Sequence, residues 1–269
     1  MPFVTINGHR IHYLEATDLG YDVDAGKLPI VLVHGLGSSE NYYVPILEQL
    51  GGHRVVVPTT YGAGQSNSKG EQLTLEQLAD DVIGLMDHLE IEKAILGGHS
   101  MGGPMVLTTA AKNPGRVAGV VCIGPVNPAS VKPEIFTSRI ETVMKDGMEP
   151  LANTIPKAAT NARSTTLQRA MIRELILGQD PNAYASHCNV IVNMKDPGFA
   201  KIQTPVLLLA GDEDKSAPVE GVQYIHDHLG SKQKELTVLN GVGHWHCIEA
   251  SEEVGKEIAA FATQMGSRA

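Results

Sequence analysis

The sequence has few cysteines and no long hydrophobic run. Its three cysteines, Cys122, Cys188 and Cys247, lie far apart and show neither a disulfide framework nor metal-ligand spacing. Because isolated cysteines are typical of a reducing compartment, we expect a cytoplasmic protein. No apolar run approaches the roughly 18 residues that a membrane-spanning helix needs. Residues 1–8 also lack the basic and apolar regions of a signal peptide.

Basic and aromatic residues are also scarce. The chain of 269 residues has 21 Lys and Arg against 30 Asp and Glu, which gives a formal net charge of −9. This charge disfavours nucleic acids and anionic membrane surfaces as partners. Aromatic residues make up 4% of the chain, so we expect no large aromatic-rich interface and a monomer or a homodimer.

Short apolar runs alternate with amphipathic segments along most of the chain. Asn7-Gly8 separates two alternating segments, which is the strongest short signal of a β-hairpin. Runs that are apolar on both faces predict buried strands at 29–33, 54–57, 93–96, 117–123, 204–210 and 236–239. Helical periodicity predicts helices at 75–89, 105–111, 219–229 and 252–265. This alternation predicts an α/β fold with a mostly parallel, doubly wound central sheet and flanking helices.

The alternation stops between residues 127 and 200, where only helical patterns occur, at 135–144, 165–177 and 183–194. An all-helical insertion between two strands of a parallel sheet predicts a cap over the carboxyl ends of the strands, where ligands bind in such folds. We therefore expect a core formed by 1–126 and 201–269, with a helical cap at 127–200.

A candidate nucleophile stands where one predicted strand meets a helix. The segment Gly98-His99-Ser100-Met101-Gly102 has the form Gly-x-Ser-x-Gly and follows an apolar run. A side chain at either flanking glycine would crowd a tight strand-to-helix turn. Such a turn exposes the serine hydroxyl and places it near the free N–H groups of a helix N-terminus.

Three other predicted strands end in loops that suit a partner role. The loop after the last strand contains His244, a base that can take the proton of the serine. The loop after 204–210 contains Asp212, Glu213 and Asp214, one of which can orient the imidazole. The loop 34–37, His-Gly-Leu-Gly, lets the backbone approach a ligand closely and offers N–H groups to an oxyanion.

Taken in order along the whole chain, these motifs resemble those of the α/β-hydrolases with a helical cap. The resemblance implies that Ser100 is the nucleophile, that His244 is the base and that Asp214 is the acid, fourth in the family's Gly-x-x-Asp loop. It also implies that the backbone N–H groups of Leu36 and Met101 form the oxyanion hole.

One loop departs from the family's pattern. Members often have Asp-x-x-Gly-x-Gly-x-Ser after the fourth strand, whereas the segment 59–66 of this chain keeps the glycines and the serine but begins with Thr59. That loop braces the site and is not normally catalytic. We therefore expect an altered polar network around Thr59 and an unaffected triad.

The chain looks most like the 3-oxoadipate enol-lactonases and the related carboxylesterases. The resemblance implies hydrolysis of a small-molecule carboxylic ester or lactone through an acyl-enzyme intermediate. Serine at the turn excludes haloalkane dehalogenases and epoxide hydrolases of this fold, which use aspartate there. Three alternatives remain open: a C–C bond hydrolase of vinylogous diketones, a non-haem peroxidase-like member, and a ligand receptor that keeps the triad.

The sequence also offers candidates for substrate contact. Gly35 allows a close backbone approach, Trp245 follows the base, and His187 lies in the predicted cap. Three arginines of the cap are either contacts for a substrate carboxylate or solvated surface residues: Arg139, Arg163 and Arg169. No third ligand cluster accompanies either His-x-His pair, so we expect neither a metal ion nor a cofactor.

Overall fold

Eight strands form one sheet in the order β1-β2-β4-β3-β5-β6-β7-β8 in the computed structural model, which describes residues 2–267. The strands are β1 (Phe3–Ile6), β2 (His9–Glu15), β3 (Ile30–Val33), β4 (Val55–Pro58), β5 (Ala94–His99), β6 (Val117–Ile123), β7 (Val206–Gly211) and β8 (Lys234–Leu239). Strands β3 to β8 are parallel, and β1 and β2 join them in antiparallel pairing. This topology confirms the predicted fold class.

The hairpin between β1 and β2 forms as the sequence predicts. Asn7 and Gly8 have φ angles of 52° and 79°, the positive values that both central residues of a type I′ turn require. Ile6 and His9, the residues on either side of the turn, pair with each other. The position of the turn therefore sets the register of the hairpin.

Helices cover both faces of the sheet. They are α1 (Leu75–His88), α2 (Gly102–Lys112), α3 (Pro133–Asp146), α4 (Glu149–Ala158), α5 (Thr166–Leu177), α6 (Pro181–Asn193), α7 (Val219–His228), α8 (His246–Glu249) and α9 (Ser251–Gly266). One face packs against α1, α2 and α7, and the other packs against α9 and a 3-10 helix at Glu40–Leu50. The α1 helix begins at a complete capping box of Thr74 and Gln77, which fixes its first turn.

Four helices, α3 to α6, lie between β6 and β7 and add no strand to the sheet. Helix α3 packs against α6, and α4 packs against α5. The sequence did not predict α4, because Pro156 lies inside it and proline is unfavourable in a helix interior. We keep the division into a core (1–126 and 201–269) and a cap (127–200) as a proposal.

Strand β8 differs from the sequence prediction. It was expected to be apolar on both faces and buried, yet only Leu239 is buried and Val238 is 46% exposed. The reason is its position at the edge of the sheet, where it pairs with β7 alone. Among residues 2–267, no helix has the length and apolar character needed to cross a membrane.

Candidate active site

Ser100 lies on a tight turn between β5 and α2. Its φ of 54° places a non-glycine residue in the left-handed region, which is uncommon and strained. The turn is held on both sides, because the Ser100 amide donates to the carbonyl of Ile123 at 2.9 Å and its carbonyl accepts from Gly103 at 3.0 Å. A Cβ atom on Gly98 would overlap the backbone of Gly102, so the chain passes this closely only with glycine there.

His244 stands between Ser100 and Asp214. Its Nε2 lies 3.0 Å from Ser100 Oγ, and its Nδ1 lies 2.8 Å from Asp214 Oδ2. Because an ionised carboxylate only accepts hydrogen bonds, Nδ1 carries the hydrogen of the neutral imidazole. Nε2 is then left with a lone pair that faces the serine hydroxyl.

Asp214 is held in its ionised form. Its Oδ1 accepts from the amides of Ser216 and Ala217 at 2.8 and 2.9 Å. Burial alone would raise the pKa of Asp214, but the charge and hydrogen bond of His244, with a further effect of His246, lower that pKa below its usual value. The carboxylate therefore stays charged beside the imidazole over the whole neutral range.

The other two carboxylates of this loop do not contact His244. Asp212 Oδ1 accepts from the amide of Gly241 at 2.6 Å, which ties the loop after β7 to the loop after β8. Glu213 is exposed. The structure thus brings Asp214 alone of the three candidates to the imidazole.

Two further histidines brace the backbone of His244. His99 Nε2 and His246 Nδ1 lie 2.8 and 2.9 Å from the carbonyl oxygen of His244, which accepts from both. Burial lowers the pKa of His99 and of His246, so both stay neutral and hold one hydrogen each. His99 also stacks on Tyr42 with ring centroids 4.3 Å apart. Sequence reasoning missed this bracing, since no motif marks a histidine that bonds to the backbone carbonyl of another.

Glu249 connects the base loop to the segment between α4 and α5. Its Oε2 accepts from the amide and side chain of Asn161 at 2.7 and 2.8 Å, from Ser164 Oγ at 3.0 Å and from the amide of Gly243 at 3.2 Å. Its Oε1 accepts from the amide of Trp245 at 2.9 Å. Sequence reasoning also missed this carboxylate, because it belongs to none of the motifs.

The loop after β3 approaches Ser100 closely. A Cβ atom on Gly35 would lie 2.8 Å from Ser100 Cβ, so a larger residue there would push the loop away. His34 fixes the loop, because its Nε2 accepts from the amide of Thr60 at 3.0 Å and its Nδ1 donates to the carbonyl of Gly35 at 2.8 Å. This geometry keeps the loop 34–37 beside the candidate nucleophile.

The amides of Leu36 and Met101 flank Ser100 and are available to a ligand. Within residues 2–267, neither amide donates a hydrogen bond to another protein group. Buried or half-buried amides are normally paired, so two free donors beside a candidate nucleophile are unusual. Their role as an oxyanion hole stays a proposal.

A buried carboxylate accompanies Thr59 in the loop that departs from the family's pattern. Thr59 Oγ1 donates to Glu40 Oε2 at 2.5 Å, and Glu40 Oε1 lies 3.6 Å from His12 Nδ1. Glu40 is only 3% exposed. A neighbouring segment thus places a carboxyl side chain against Thr59, in the loop where the family's pattern has an aspartate.

A cavity of about 310 Å³ opens above Ser100 and His244. Its apolar lining includes Leu36, Ile135, Phe136, Ile155, Ile176 and Trp245. The structure brings Trp245 to this cavity, but it does not bring His187 there. His187 is buried in α6, and burial, followed by the effect of nearby His34, lowers its pKa to about 4. Helix α6 therefore packs this histidine inward and away from the cavity.

The part of the chain that the structure describes contains no group of three His, Cys, Asp or Glu side chains placed to hold a metal ion. The three cysteines are free and buried.

Comparison with known proteins gives a consistent result. Residues 26–251 match the protein-family profile described as Serine aminopeptidase, S33. The dihydrolipoyllysine-residue acetyltransferase component of the acetoin cleaving system of Pseudomonas putida is 27% identical over 88% of this chain, which spans 64% of that relative's length. The AB hydrolase superfamily protein YisY of Bacillus subtilis is 26% identical over 95% of this chain and 99% of its own length.

Among solved structures, an enol-lactonase from Burkholderia xenovorans LB400 superposes with a TM-score of 0.88 at 27% identity. The match covers 97% of this chain and 100% of the enol-lactonase. The two chains therefore share one fold over nearly their whole lengths.

Proposed function

The chain belongs to the α/β-hydrolase family described as Serine aminopeptidase, S33, and we propose that it hydrolyses a small-molecule carboxylic ester or lactone through an acyl-enzyme intermediate. The observation that carries the proposal is the continuous hydrogen-bonded series Ser100–His244–Asp214, whose first two members line a cavity. The enol-lactonase that superposes on 97% of this chain supports the same reaction class.

Acylation begins with Ser100. Its Oγ attacks the carbonyl carbon of the substrate while His244 Nε2 accepts the hydroxyl proton. Asp214 stabilises the imidazolium that forms and keeps it in the correct orientation, without taking the proton itself. The attack places a negative charge on the former carbonyl oxygen.

The amides of Leu36 and Met101 bind that oxygen. Because neither amide donates to another protein group, binding the oxyanion breaks no hydrogen bond within the protein. Loss of one such donor costs roughly 2.7–4 kcal/mol of transition-state stabilisation. The strained turn at Ser100 presents the hydroxyl to the same point in the cavity.

The intermediate then collapses. The bond from the carbonyl carbon to the leaving oxygen breaks, and His244 returns its proton to that oxygen, which releases the alcohol or opens the lactone ring. A water molecule, deprotonated by His244, attacks the acyl-serine and frees the acid. The cavity of about 310 Å³ lies at the small end of the range for ligand pockets, which favours a small substrate.

A panel of p-nitrophenyl esters of increasing acyl length and simple lactones tests this function, with Ser100→Ala beside the wild type. We expect turnover by the wild type and none by the variant, which must melt cooperatively to show that it is folded. Absence of turnover in a folded wild-type sample would contradict the proposal. A ring-fission vinylogous diketone in the same panel tests the C–C hydrolase alternative.

For cellular location and assembly, we propose what the sequence led us to expect. We propose a cytoplasmic protein, which the three unpaired cysteines support. We also propose that it is a monomer or a homodimer, and the triad needs no residue from a second copy, because all three side chains come from one chain.

A further inference from the structure

The charged residues of the cavity above Ser100 are all cationic. Lys132, Arg139 and Lys215 line it, and its lining within residues 2–267 includes no Asp or Glu. This composition is opposite to that of the protein as a whole, whose formal net charge is −9. A concentration of one sign of charge in an apolar cleft focuses the electric field there and favours a ligand of the other sign.

Arg139 is half-buried and faces neutral groups. Arg139 lies near the side chain of Tyr184, where its charge opposes the larger effect of burial on the pKa of the phenol, and its Cζ lies 5.4 Å from the centroid of the Phe136 ring. Burial raises the pKa of Tyr184. It also raises the pKa of Cys188, which lies near the same guanidinium, to about 12, so both side chains stay uncharged. The side chains of Tyr184, Cys188 and Phe136 therefore leave the charge of Arg139 unneutralised.

The three cavity cations also lack acidic partners. Nowhere in the range 2–267 does a carboxylate form an ion pair with Lys132, Arg139 or Lys215, whereas other basic residues, such as Arg54 with Glu15, do form such pairs. A half-buried guanidinium without a counterion has lost hydration that only an anion can fully replace. An anionic group of a bound ligand would supply that counterion.

We propose that the substrate is an ester or lactone that carries a carboxylate, and that Arg139 binds this carboxylate while Ser100 attacks the ester carbonyl. This inference rests on the proposed function and names its substrate class. The planar guanidinium matches a carboxylate through two parallel N–H···O bonds, which fixes orientation as well as charge. Lys132 and Lys215 are exposed and attract the anion from solution, so this part of the effect weakens with salt.

Two pairs of esters test the proposal. In each pair, one member carries a free carboxylate, and the other carries the methyl ester of that carboxylate. The first pair is p-nitrophenyl hydrogen adipate and p-nitrophenyl methyl adipate, with the charge on the acyl side. The second pair is the butyrate esters of 3-hydroxybenzoate and of methyl 3-hydroxybenzoate, with the charge on the leaving group. We expect kcat/KM for the anionic member of at least one pair to exceed that of its neutral partner by about tenfold or more.

Arg139→Gln is the diagnostic variant, and Arg173→Gln is its matched control. Arg173 lies in α5, outside the cavity, and pairs with Glu174. We expect the ratio of anionic to neutral kcat/KM to fall towards one in Arg139→Gln and to stay at the wild-type value in Arg173→Gln. Arg139→Lys should keep part of the preference, because it keeps the charge and loses the planar fork.

The outcomes separate this proposal from the proposed function. Equal kcat/KM of the wild type for the two members of each pair would overturn the anion site and leave the proposed serine hydrolase function intact. A preference for the anionic member that persists in Arg139→Gln would have the same consequence. If no ester is hydrolysed, the proposed function fails, and calorimetric binding of the same four compounds to the wild type decides about the anion site. Tighter binding of an anionic member that Arg139→Gln abolishes would support it, and equal binding would refute it.

Discussion

The backbone amide of His244 donates a hydrogen bond of 2.8 Å to the carbonyl of Ala159, the residue that follows α4. The loop that carries the proposed base is therefore attached to the helical segment that covers the cavity. Glu249 strengthens this attachment through Asn161 and Ser164 on one side and Gly243 and Trp245 on the other. The position of the imidazole thus depends on how the segment between β6 and β7 is seated.

Replacing Glu249 should disturb catalysis more than substrate binding. In Glu249→Gln, one acceptor oxygen becomes an NH₂ group that faces N–H and O–H donors, so several hydrogen bonds are lost at once. We expect kcat to fall by roughly 10–100-fold with a smaller change in KM. The free energy of unfolding should fall by about 1–3 kcal/mol.

Steady-state kinetics and urea denaturation of Glu249→Gln measure both effects, and Glu253→Gln, at an exposed position of α9, is the matched control. A purely structural role would lower stability and leave kcat per folded molecule and its pH profile unchanged. That result would remove Glu249 from the set of positioning residues.

The fold was predictable because local patterns and tertiary packing agree. Buried parallel strands are continuous apolar runs, and the turn at Ser100 requires the glycines that mark it. Helix α4 and the 3-10 helix at Glu40–Leu50 were not predicted, since Pro156 and Pro45 lie inside them and the interior packing outweighs that local cost.

The hydrogen-bond network was predictable only in part. The motifs named the residues that the structure brings together around Ser100, and their catalytic roles stay predictions. No motif showed that His99, His246 and Glu249 converge on the base loop, because hydrogen bonds from single side chains to the backbone leave no periodic pattern in the sequence. His187 was expected at the substrate because it lies in the predicted cap, but the structure does not place it at the cavity. The sequence does not reveal which face of α6 meets the cavity.

Asp214 and Asp212 should respond differently to the same substitution. Asp214→Asn replaces the acceptor of the His244 Nδ1 hydrogen and favours the wrong tautomer, so we expect kcat to fall by about 10³–10⁴-fold. Asp212→Asn keeps an oxygen for the amide of Gly241, so its kcat should fall by less than about tenfold. Ester hydrolysis by the two variants at equal protein concentration gives the comparison. A larger loss in Asp212→Asn would show that the proposed acid is wrong.

The Thr59–Glu40 pair should make the family's usual aspartate harmful in this chain. Thr59→Asp would bury a second carboxylate beside Glu40, whose Oε2 is 2.5 Å from Thr59 Oγ1. We expect the free energy of unfolding to fall by about 3–5 kcal/mol. Adding Glu40→Gln removes the like charge and should restore part of that loss, as urea denaturation of the single and double variants would measure. Thr59→Ser is the conservative control, and equal stability of Thr59→Asp and the wild type would refute the account.

His187 should make the protein less stable in acid. Burial lowers the pKa of His187 to about 4 in the folded protein, and nearby His34 adds to the effect. In the unfolded chain the pKa of a histidine is about 6.5. As the pH falls below about 6.5, the unfolded chain binds a proton that the folded protein does not, so the free energy of unfolding decreases down to about pH 4. The full contribution is about 3 kcal/mol.

Urea denaturation at about pH 7 and about pH 4.5 measures this effect in the wild type, in His187→Gln and in the exposed-residue control His88→Gln. We expect a smaller loss of stability on acidification in His187→Gln and the wild-type loss in His88→Gln. The same pH dependence in all three proteins would contradict the claim that His187 binds its proton only after the protein unfolds.

The central claim is that Ser100 carries the acyl group between the two halves of the reaction. Acid-quenched intact-protein mass spectrometry during turnover of p-nitrophenyl butyrate, followed by peptide mapping, tests it most directly. The account predicts a butyryl adduct on the wild-type peptide that contains Ser100 and none in Ser100→Ala. The ratio of adduct to turnover rate should be higher in Asp214→Asn than in the wild type. Turnover by the wild type without any adduct on that peptide, or turnover by folded Ser100→Ala at the wild-type rate, would contradict it.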